Sequence, residues 1–421
     1  MHHFHYKGRE LHCEEVPLAK IAEEVGTPCY VYSHATLERH FRVFDEAFAG
    51  ISHLICFAMK ANSNLAVLRA MIKKGAGIDI VSGGELFRAR TAGAPPEKIV
   101  YSGVGKSREE MAYALNEGIL QFNVESEAEL HVLDETARSL GKRAPVSLRV
   151  NPDINPRTHP YISTGLKKSK FGVPFAESLR LYEKARSLSG IRIQGVSCHI
   201  GSQITTLAPF REALSKAGEL VRKLRKGGFE IRTLDLGGGL GIPYKDEIPP
   251  QPKEYGKVLK KGLREFNGTV LFEPGRVIVG NAGILLTKVL YTKKQRGKKF
   301  VIVDGAMNDL IRPALYGSFH QIWPVRRKGA VHGALEKADV VGPICESGDF
   351  FAENRPLPVV DSEDLLAVMS AGAYGFVMAS NYNSRPRAAE VMVNGDQYDV
   401  VRKREELKDL LHGEHVPKFL I

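Results

Sequence analysis

From residue 54 onward, short apolar runs rich in β-branched and aromatic residues recur at regular intervals, separated by stretches of helical period. The runs cover residues 54–60, 77–82, 99–103, 120–124, 145–151, 195–200, 233–237 and 270–273. The stretches between them have helix chemistry. Leu65, Leu68, Met71 and Ile72 make one apolar stripe. Ser107 with Glu110, and Ser126 with Glu129, have the spacing of a capping box, and Gly75, Gly118 and Gly141 stand where helices stop. Eight strand–helix alternations over roughly 230 residues predict a (β/α)8 TIM-like barrel over 35–280 rather than an open sheet.

After residue 280 the period changes. Runs at 284–291, 300–304, 337–341, 365–370, 389–393 and 397–401 follow one another with turns and little helix, which predicts a mostly antiparallel β-barrel or sandwich domain over 281–421. Residues 1–34 carry β-like pieces at 10–16 and 28–32 with a helical pattern at 18–25, and a further helix is expected at 35–49. The N-terminal strands are expected to join the C-terminal β domain, so that the barrel is an insertion. The histidines at positions 2, 3 and 5 read as a frayed polar terminus rather than a metal tract.

Composition narrows the class. A 421-residue chain with 43% hydrophobic and 25% charged residues is a globular protein too long for one ordinary core. The net charge of +11 raises the question of an anionic partner. Most basic residues alternate with acids, as in Arg402-Lys403-Arg404-Glu405-Glu406, and the cluster Lys293-Lys294-Gln295-Arg296 has no interleaved aromatics. Nucleic acid is therefore not expected as a partner, whereas small phosphate-bearing molecules fit a positive field. Five cysteines with no CxxC pair indicate neither a disulfide framework nor a zinc site, so no metal is expected. With no secretory leader and no apolar run of bilayer length, a cytoplasmic protein without membrane association is expected.

In such barrels the chemistry gathers at the C-terminal ends of the strands. Lys60 closes the first run, Ile55-Cys56-Phe57-Ala58-Met59-Lys60. A desolvated lysine can attack a carbonyl and form a Schiff base, although the hexapeptide alone reads more readily as a core strand ending in a snorkelling lysine, and the residues further along the chain reverse that reading. Gly237-Gly238-Gly239 after the seventh run can turn backbone N–H groups onto a phosphate, helped by a following helix start, and Glu273-Pro274-Gly275-Arg276 after the eighth is a second phosphate cue. Glu273 suits a pyridine nitrogen, or alternatively pairs with Arg276. His199, with Gly201 and Ser202 behind it, suits a ring-stacking imidazole beside a phosphate, or a satisfied core histidine. In the β domain, Cys345 and Glu346 lie among turn residues as a possible proton donor and amine ligand. Arg312 with Tyr316 offers a guanidinium for a carboxylate and a nearby phenol, and Tyr374 is a phenol flanked by small residues.

Together the motifs FAMKANSN at 57–64, HIGSQ at 199–203, DLGGGLGI at 235–242, EPGR at 273–276, RPALY at 312–316, GPICESGD at 342–349 and AYGFVMASNYNSRPRAAEV at 373–391 resemble the diaminopimelate decarboxylases. These are pyridoxal-phosphate enzymes of the alanine-racemase-like fold type. The resemblance covers nearly the whole chain and implies decarboxylation of meso-2,6-diaminopimelate to L-lysine, the last step of lysine biosynthesis. By resemblance, Lys60 would carry the Schiff base with pyridoxal 5'-phosphate and His199 would lie against its ring. Ser202, Gly237, Gly238, Gly239, Pro274, Gly275 and Arg276 would hold the phosphate, with Glu273 at the ring nitrogen. Arg276, Arg312 and Tyr316 would bind the distal carboxylate, Glu346 the distal amine, and Tyr374 both cofactor and substrate. Cys345 would be the proton donor, and Cys345 and Glu346 would enter from the partner subunit of a homodimer with shared active sites. The alternative is an ornithine- or arginine-type decarboxylase, whose substrates have no distal carboxylate to occupy Arg276 and Arg312.

Overall fold

The computed structural model describes residues 2–155, 164–165, 169–328 and 335–421. The chain divides into one unit formed by Leu37–Val279 and a second formed by Met1–Thr36 with Gly280–Ile421.

The first unit is a closed parallel barrel. Its eight strands are His53–Ala58, Gly77–Ile80, Ile99–Tyr101, Gln121–Val124, Ala144–Asn151, Ile191–Ser197, Thr233–Asp235 and Thr269–Phe272. They pair in chain order, and Thr269–Phe272 closes onto His53–Ala58 in register Val270↔His53. The helices between them pack outside. Phe44, Phe48 and Tyr255 cover Phe272, with Phe48 stacked on Phe272 at a centroid distance of 3.9 Å. One end of the barrel interior is apolar, filled by Cys56, Val100 and Leu271. Toward the strand C-termini the buried positions turn polar, with Asp79, Asn123, Arg149, Ser197 and Asp235 all under 9% exposed.

Two local predictions need correction. The expected first strand ends at Ala58, not at Lys60, which sits in a single 3-10 turn, Met59–Ala61. Ala58 N–H still bonds to Pro274 O at 3.1 Å, beyond the paired residues of the neighbouring strand. Ser107 and Glu110 form a full capping box. At the second expected box, Ser126 Oγ accepts from Glu129 N–H, but the Glu129 carboxylate turns to Glu125 N–H and Lys106 instead.

The second unit is built on a sheet in which Gly283–Gln295 is central. That strand pairs antiparallel with Lys298–Val303, with Leu365–Val368 and with Cys29–Ser33. Cys29–Ser33 also pairs parallel with Ala389–Asn394, so the N-terminal strand lies inside this sheet. The core beneath it includes Leu11, Val31, Ile284, Leu286 and Val391. The terminus read as frayed is instead a strand: Phe4–Lys7 pairs antiparallel with Glu10–Cys13, because alternate positions bury Phe4 and expose His5 and Lys7. The strands Ile322–Pro324 and Phe350–Pro358 also escape the hydrophobic pattern. In the second, Glu353-Asn354-Arg355 interrupts the apolar run at a register irregularity, with Asn354 at φ 46°.

Candidate active site

At the polar end of the barrel four strand-end turns meet through their backbones. A Cβ added at Gly275 would lie 3.2 Å from Ala58 O and 3.0 Å from Ala61 Cβ, so the Pro274-Gly275 turn lies flat against the turn that carries Lys60. A Cβ at Gly238 would stand 2.1 Å from Glu273 O, and one at Gly239 2.3 Å from Gly201 O. Only glycine permits these approaches, and Gly239 adds a φ of 111°. Gln203 pins the far side of the loop through both ends of its amide, at 2.6 Å to Ile242 O and 3.1 Å from Ile242 N. No helix starts at the triplet, contrary to expectation; the next is Pro252–Leu263. Any charge stabilisation there comes from individual N–H groups rather than from a helix dipole.

The side chains follow these turns. Lys60 Nζ is 2.5 Å from Asp79 Oδ2, and Asp79 is fully buried. His199 Nδ1 accepts from Gly238 N–H at 3.1 Å. Burial, then the nearby charges of Arg149 and Lys60, hold this imidazole neutral, well below its ordinary range. Ser202 Oγ accepts from Arg276 Nη2 at 3.2 Å, and Arg276 Nη1 donates to the Tyr244 hydroxyl at 2.7 Å.

Glu273 does not turn to Arg276. Its carboxyl meets Ser102 Oγ at 3.2 Å and Asn123 Nδ2 at 3.3 Å. Burial first, then the charges of Asp235 and Asp79, raise its pKa well above the usual carboxyl range. Asp235 Oδ1 accepts from Gly237 N–H at 2.9 Å and its Oδ2 from Asn123 Nδ2 at 2.8 Å, while it also shares a hydrogen bond with Glu273. Burial raises the Asp235 pKa as well, but the hydrogen bond between the two acids lowers Asp235 and raises Glu273, so of the pair Glu273 is the one that favours the proton.

An amine, a neutral imidazole, a carboxyl that keeps its proton and a side-chain-free backbone cradle are the donor set for pyridoxal phosphate, and these residues fit it. The amine would attach to the aldehyde carbon, the carboxyl would give its proton to the ring nitrogen, and the cradle with Ser202 and Arg276 would face the phosphate.

In the β unit the remaining candidates fall in three places. Arg312 opens the short helix Arg312–Tyr316, is 5% exposed and bonds to His320 and Ser318, while Tyr316 closes that helix. Cys345 and Glu346 sit on an exposed loop. Asp349 ties the base of that loop down, accepting from Ile344 N–H at 2.6 Å and from Met307 N–H at 2.7 Å. Cys345 N–H donates to Asn383 Oδ1 at 3.0 Å, and a hydrogen bond to the Glu346 carboxylate pushes the Tyr382 phenol up. Tyr374 is partly buried and held at φ 57°, a strained conformation for a bulky side chain.

Residues given no role from sequence take part in these contacts: Asp79, Ser102, Asn123, Asp235, Tyr244, His320 and Asn383. For Asp79, Asn123 and Asp235 a signal exists, a polar residue set inside an otherwise apolar strand run.

The pyridoxal binding domain of the pyridoxal-dependent decarboxylases matches residues 34–280. Diaminopimelate decarboxylase of Pseudomonas aeruginosa is 53% identical over 411 residues, covering 98% of each chain. That of Vibrio cholerae is 52% identical over 418 residues, covering 99% of each. Among solved structures, diaminopimelate decarboxylase of Helicobacter pylori complexed with L-lysine superposes with a TM-score of 0.90 at 42% identity, covering 94% of this chain and 98% of that one.

Proposed function

The chain belongs to the diaminopimelate decarboxylase family of pyridoxal-dependent decarboxylases, and from that membership we propose that it converts meso-2,6-diaminopimelate to L-lysine and CO2. It is a pyridoxal-phosphate-dependent carboxy-lyase. The reading is carried by Lys60, Glu273 and the glycine triplet standing on three contiguous turns, in a chain 53% identical to a diaminopimelate decarboxylase along its length. The bound cofactor supplies an aldehyde that condenses with amines and a protonated ring that accepts the electron pair left when CO2 departs.

The protein's share of the work is binding, orientation and proton placement. Lys60 would hold the cofactor through its amine, and Asp79 would pair with the Lys60 ammonium whenever that amine is free. Glu273 keeps the ring nitrogen protonated, and Asp235 keeps Glu273 in place. His199 is neutral, so it packs against a ring without placing a second positive charge beside it. Ser202, the Gly237, Gly238 and Gly239 backbone, and the Pro274-Gly275-Arg276 turn hold the phosphate. Arg276, Arg312 and Tyr316 receive the distal carboxylate, which separates this substrate from ornithine and arginine. Glu346 takes the distal amine and Tyr374 touches cofactor and substrate. Cys345 delivers, from Sγ, the proton that replaces CO2. We infer a homodimer in which Cys345 and Glu346 serve the site of the other copy. Five free thiols suit a reducing compartment, and a cytoplasmic enzyme is inferred. Among the described residues no helix is long and apolar enough to cross a membrane.

The deciding experiment is CO2 release from meso-diaminopimelate measured beside L-ornithine and L-arginine. Release from the first alone is expected; equal or faster release from either of the others overturns the assignment.

A further inference from the structure

Arg312 reaches the substrate, in the reading above, through a guanidinium that must point one way. A free arginine side chain has many rotamers, and holding one of them costs entropy that a partner has to offset. Here Nη1 lies 2.9 Å from His320 Nε2 and Nη2 donates to Ser318 Oγ at 3.2 Å. His320 is fully buried. Its other ring nitrogen, Nδ1, is 2.8 Å from Met369 O.

The two partners fix the state of the ring. A carbonyl oxygen only accepts and a guanidinium only donates, so Nδ1 carries the hydrogen and Nε2 is bare. Protonating Nε2 would set N–H against N–H. The imidazole is therefore a neutral acceptor. A neutral acceptor aims a guanidinium without cancelling the charge meant for a substrate carboxylate, which an aspartate at this place would do.

The ring is itself anchored in the sheet. Ile322–Pro324 pairs antiparallel with Leu365–Val368 in register Ile322↔Val368, and Met369 N–H donates to Gln321 O at 2.8 Å. Arg355 Nη1 bonds to His320 O at 2.7 Å, and its guanidinium lies 3.7 Å from the centre of the Phe319 ring. Main chain, ring nitrogen and neighbouring strand all hold His320, which leaves Nε2 as the face it presents to Arg312.

We propose that His320 is the positioning residue that aims Arg312 at the substrate's distal carboxylate, and so sets the preference for a substrate that carries one. This rests on the decarboxylase reading of the site and adds a residue to it.

The holoenzyme tests this through two inhibitors that differ only in that group. L-Lysine keeps the carboxylate, and cadaverine is the same diamine without it. In His320→Phe the ring volume stays and the acceptor is lost. Inhibition by L-lysine and KM for meso-diaminopimelate should each weaken by about tenfold or more, the scale of losing a hydrogen bond to a charged group, with kcat changing less and cadaverine inhibition nearly unchanged. His320→Gln restores an acceptor and should recover most of the L-lysine affinity. His320→Asn, which draws the acceptor back from Arg312, gives the same split if the Phe variant does not fold. Equal weakening of both inhibitors, no weakening of either, or no recovery with Gln overturns the proposal. Arg312→Lys tells the two failures apart: if it leaves L-lysine inhibition intact, the assignment of Arg312 itself falls.

Discussion

Lys60 Nζ stands 2.5 Å from Asp79 Oδ2, with the lysine side chain one-third exposed and the aspartate fully buried. A buried carboxylate relies on its cation. A free ammonium offers three N–H donors, whereas a nitrogen bonded to the cofactor would offer at most one. In the proposed reading Asp79 would therefore favour the free lysine over one attached to the cofactor. Asp79→Asn is expected to bind pyridoxal phosphate more tightly, by roughly tenfold, and to turn over more slowly by a similar factor. Titration of the visible absorption of the bound cofactor checks the first part and steady-state CO2 release the second. Unchanged affinity together with unchanged turnover refutes this role.

Asp235 links two parts of the proposed cofactor site that are distant in sequence. It accepts the Gly237 N–H and rests against Glu273, whose proton it helps to retain. Asp235→Asn removes the negative charge, so the Glu273 pKa should fall toward its ordinary range. The ring nitrogen would then hold its proton less firmly. The expected result is a cofactor absorption spectrum whose pH-dependent transition moves to lower pH, with cofactor affinity down by roughly tenfold as the glycine loop loses its anchor. A transition at the wild-type pH would show that Asp235 serves packing alone.

The barrel was legible because each strand run is bounded by capping residues and glycines that physics places at element ends. Two of the unpredicted strands of the β unit failed for opposite reasons: Ile322–Pro324 is too short to show a period, and Phe350–Pro358 has polar residues at its irregularity. Candidate site residues at strand ends could be singled out from sequence because barrel geometry directs strand C-termini to one end. Asp79 and Asp235 were passed over because a charge inside an apolar run looks like a defect until the closed barrel turns it inward. His320 and Asn383 carry no local signal, since their partners lie in contacts that only the folded β unit creates.

Glu85, in the first turn of the helix Gly83–Thr91, has its pKa raised from 4.5 to about 7, chiefly by burial, against the opposing pull of a hydrogen bond from Val81 N–H and the Lys60 charge. Between those two pH values the folded protein holds a proton that the unfolded chain has released. Stability therefore falls as pH rises through this window, and the loss is complete above about 7. Glu85→Gln removes the dependence. Relative to wild type, the variant should gain on the order of 1–3 kcal/mol between the bottom and top of the window. Thermal midpoints of both cofactor-free proteins across that range measure it; parallel curves contradict the assignment.

Asn383 adopts φ 54° and ψ 31°, a left-handed conformation that asparagine tolerates better than most residues, and from there its amide oxygen receives the Cys345 N–H. The contact fixes the backbone of the proposed proton donor, not its thiol. Removing it should let Cys345 sample positions from which proton delivery is slow, while Asp349 still ties down the base of the loop that also carries Glu346. Asn383→Ala is therefore expected to lower kcat by roughly tenfold with KM within a factor of about two, a weaker copy of Cys345→Ala. Solvent deuterium should slow the variant's turnover no less than the wild type's, because proton delivery then limits the rate. A rise in KM with kcat preserved would instead place Asn383 in substrate binding, and the link through Cys345 would be lost.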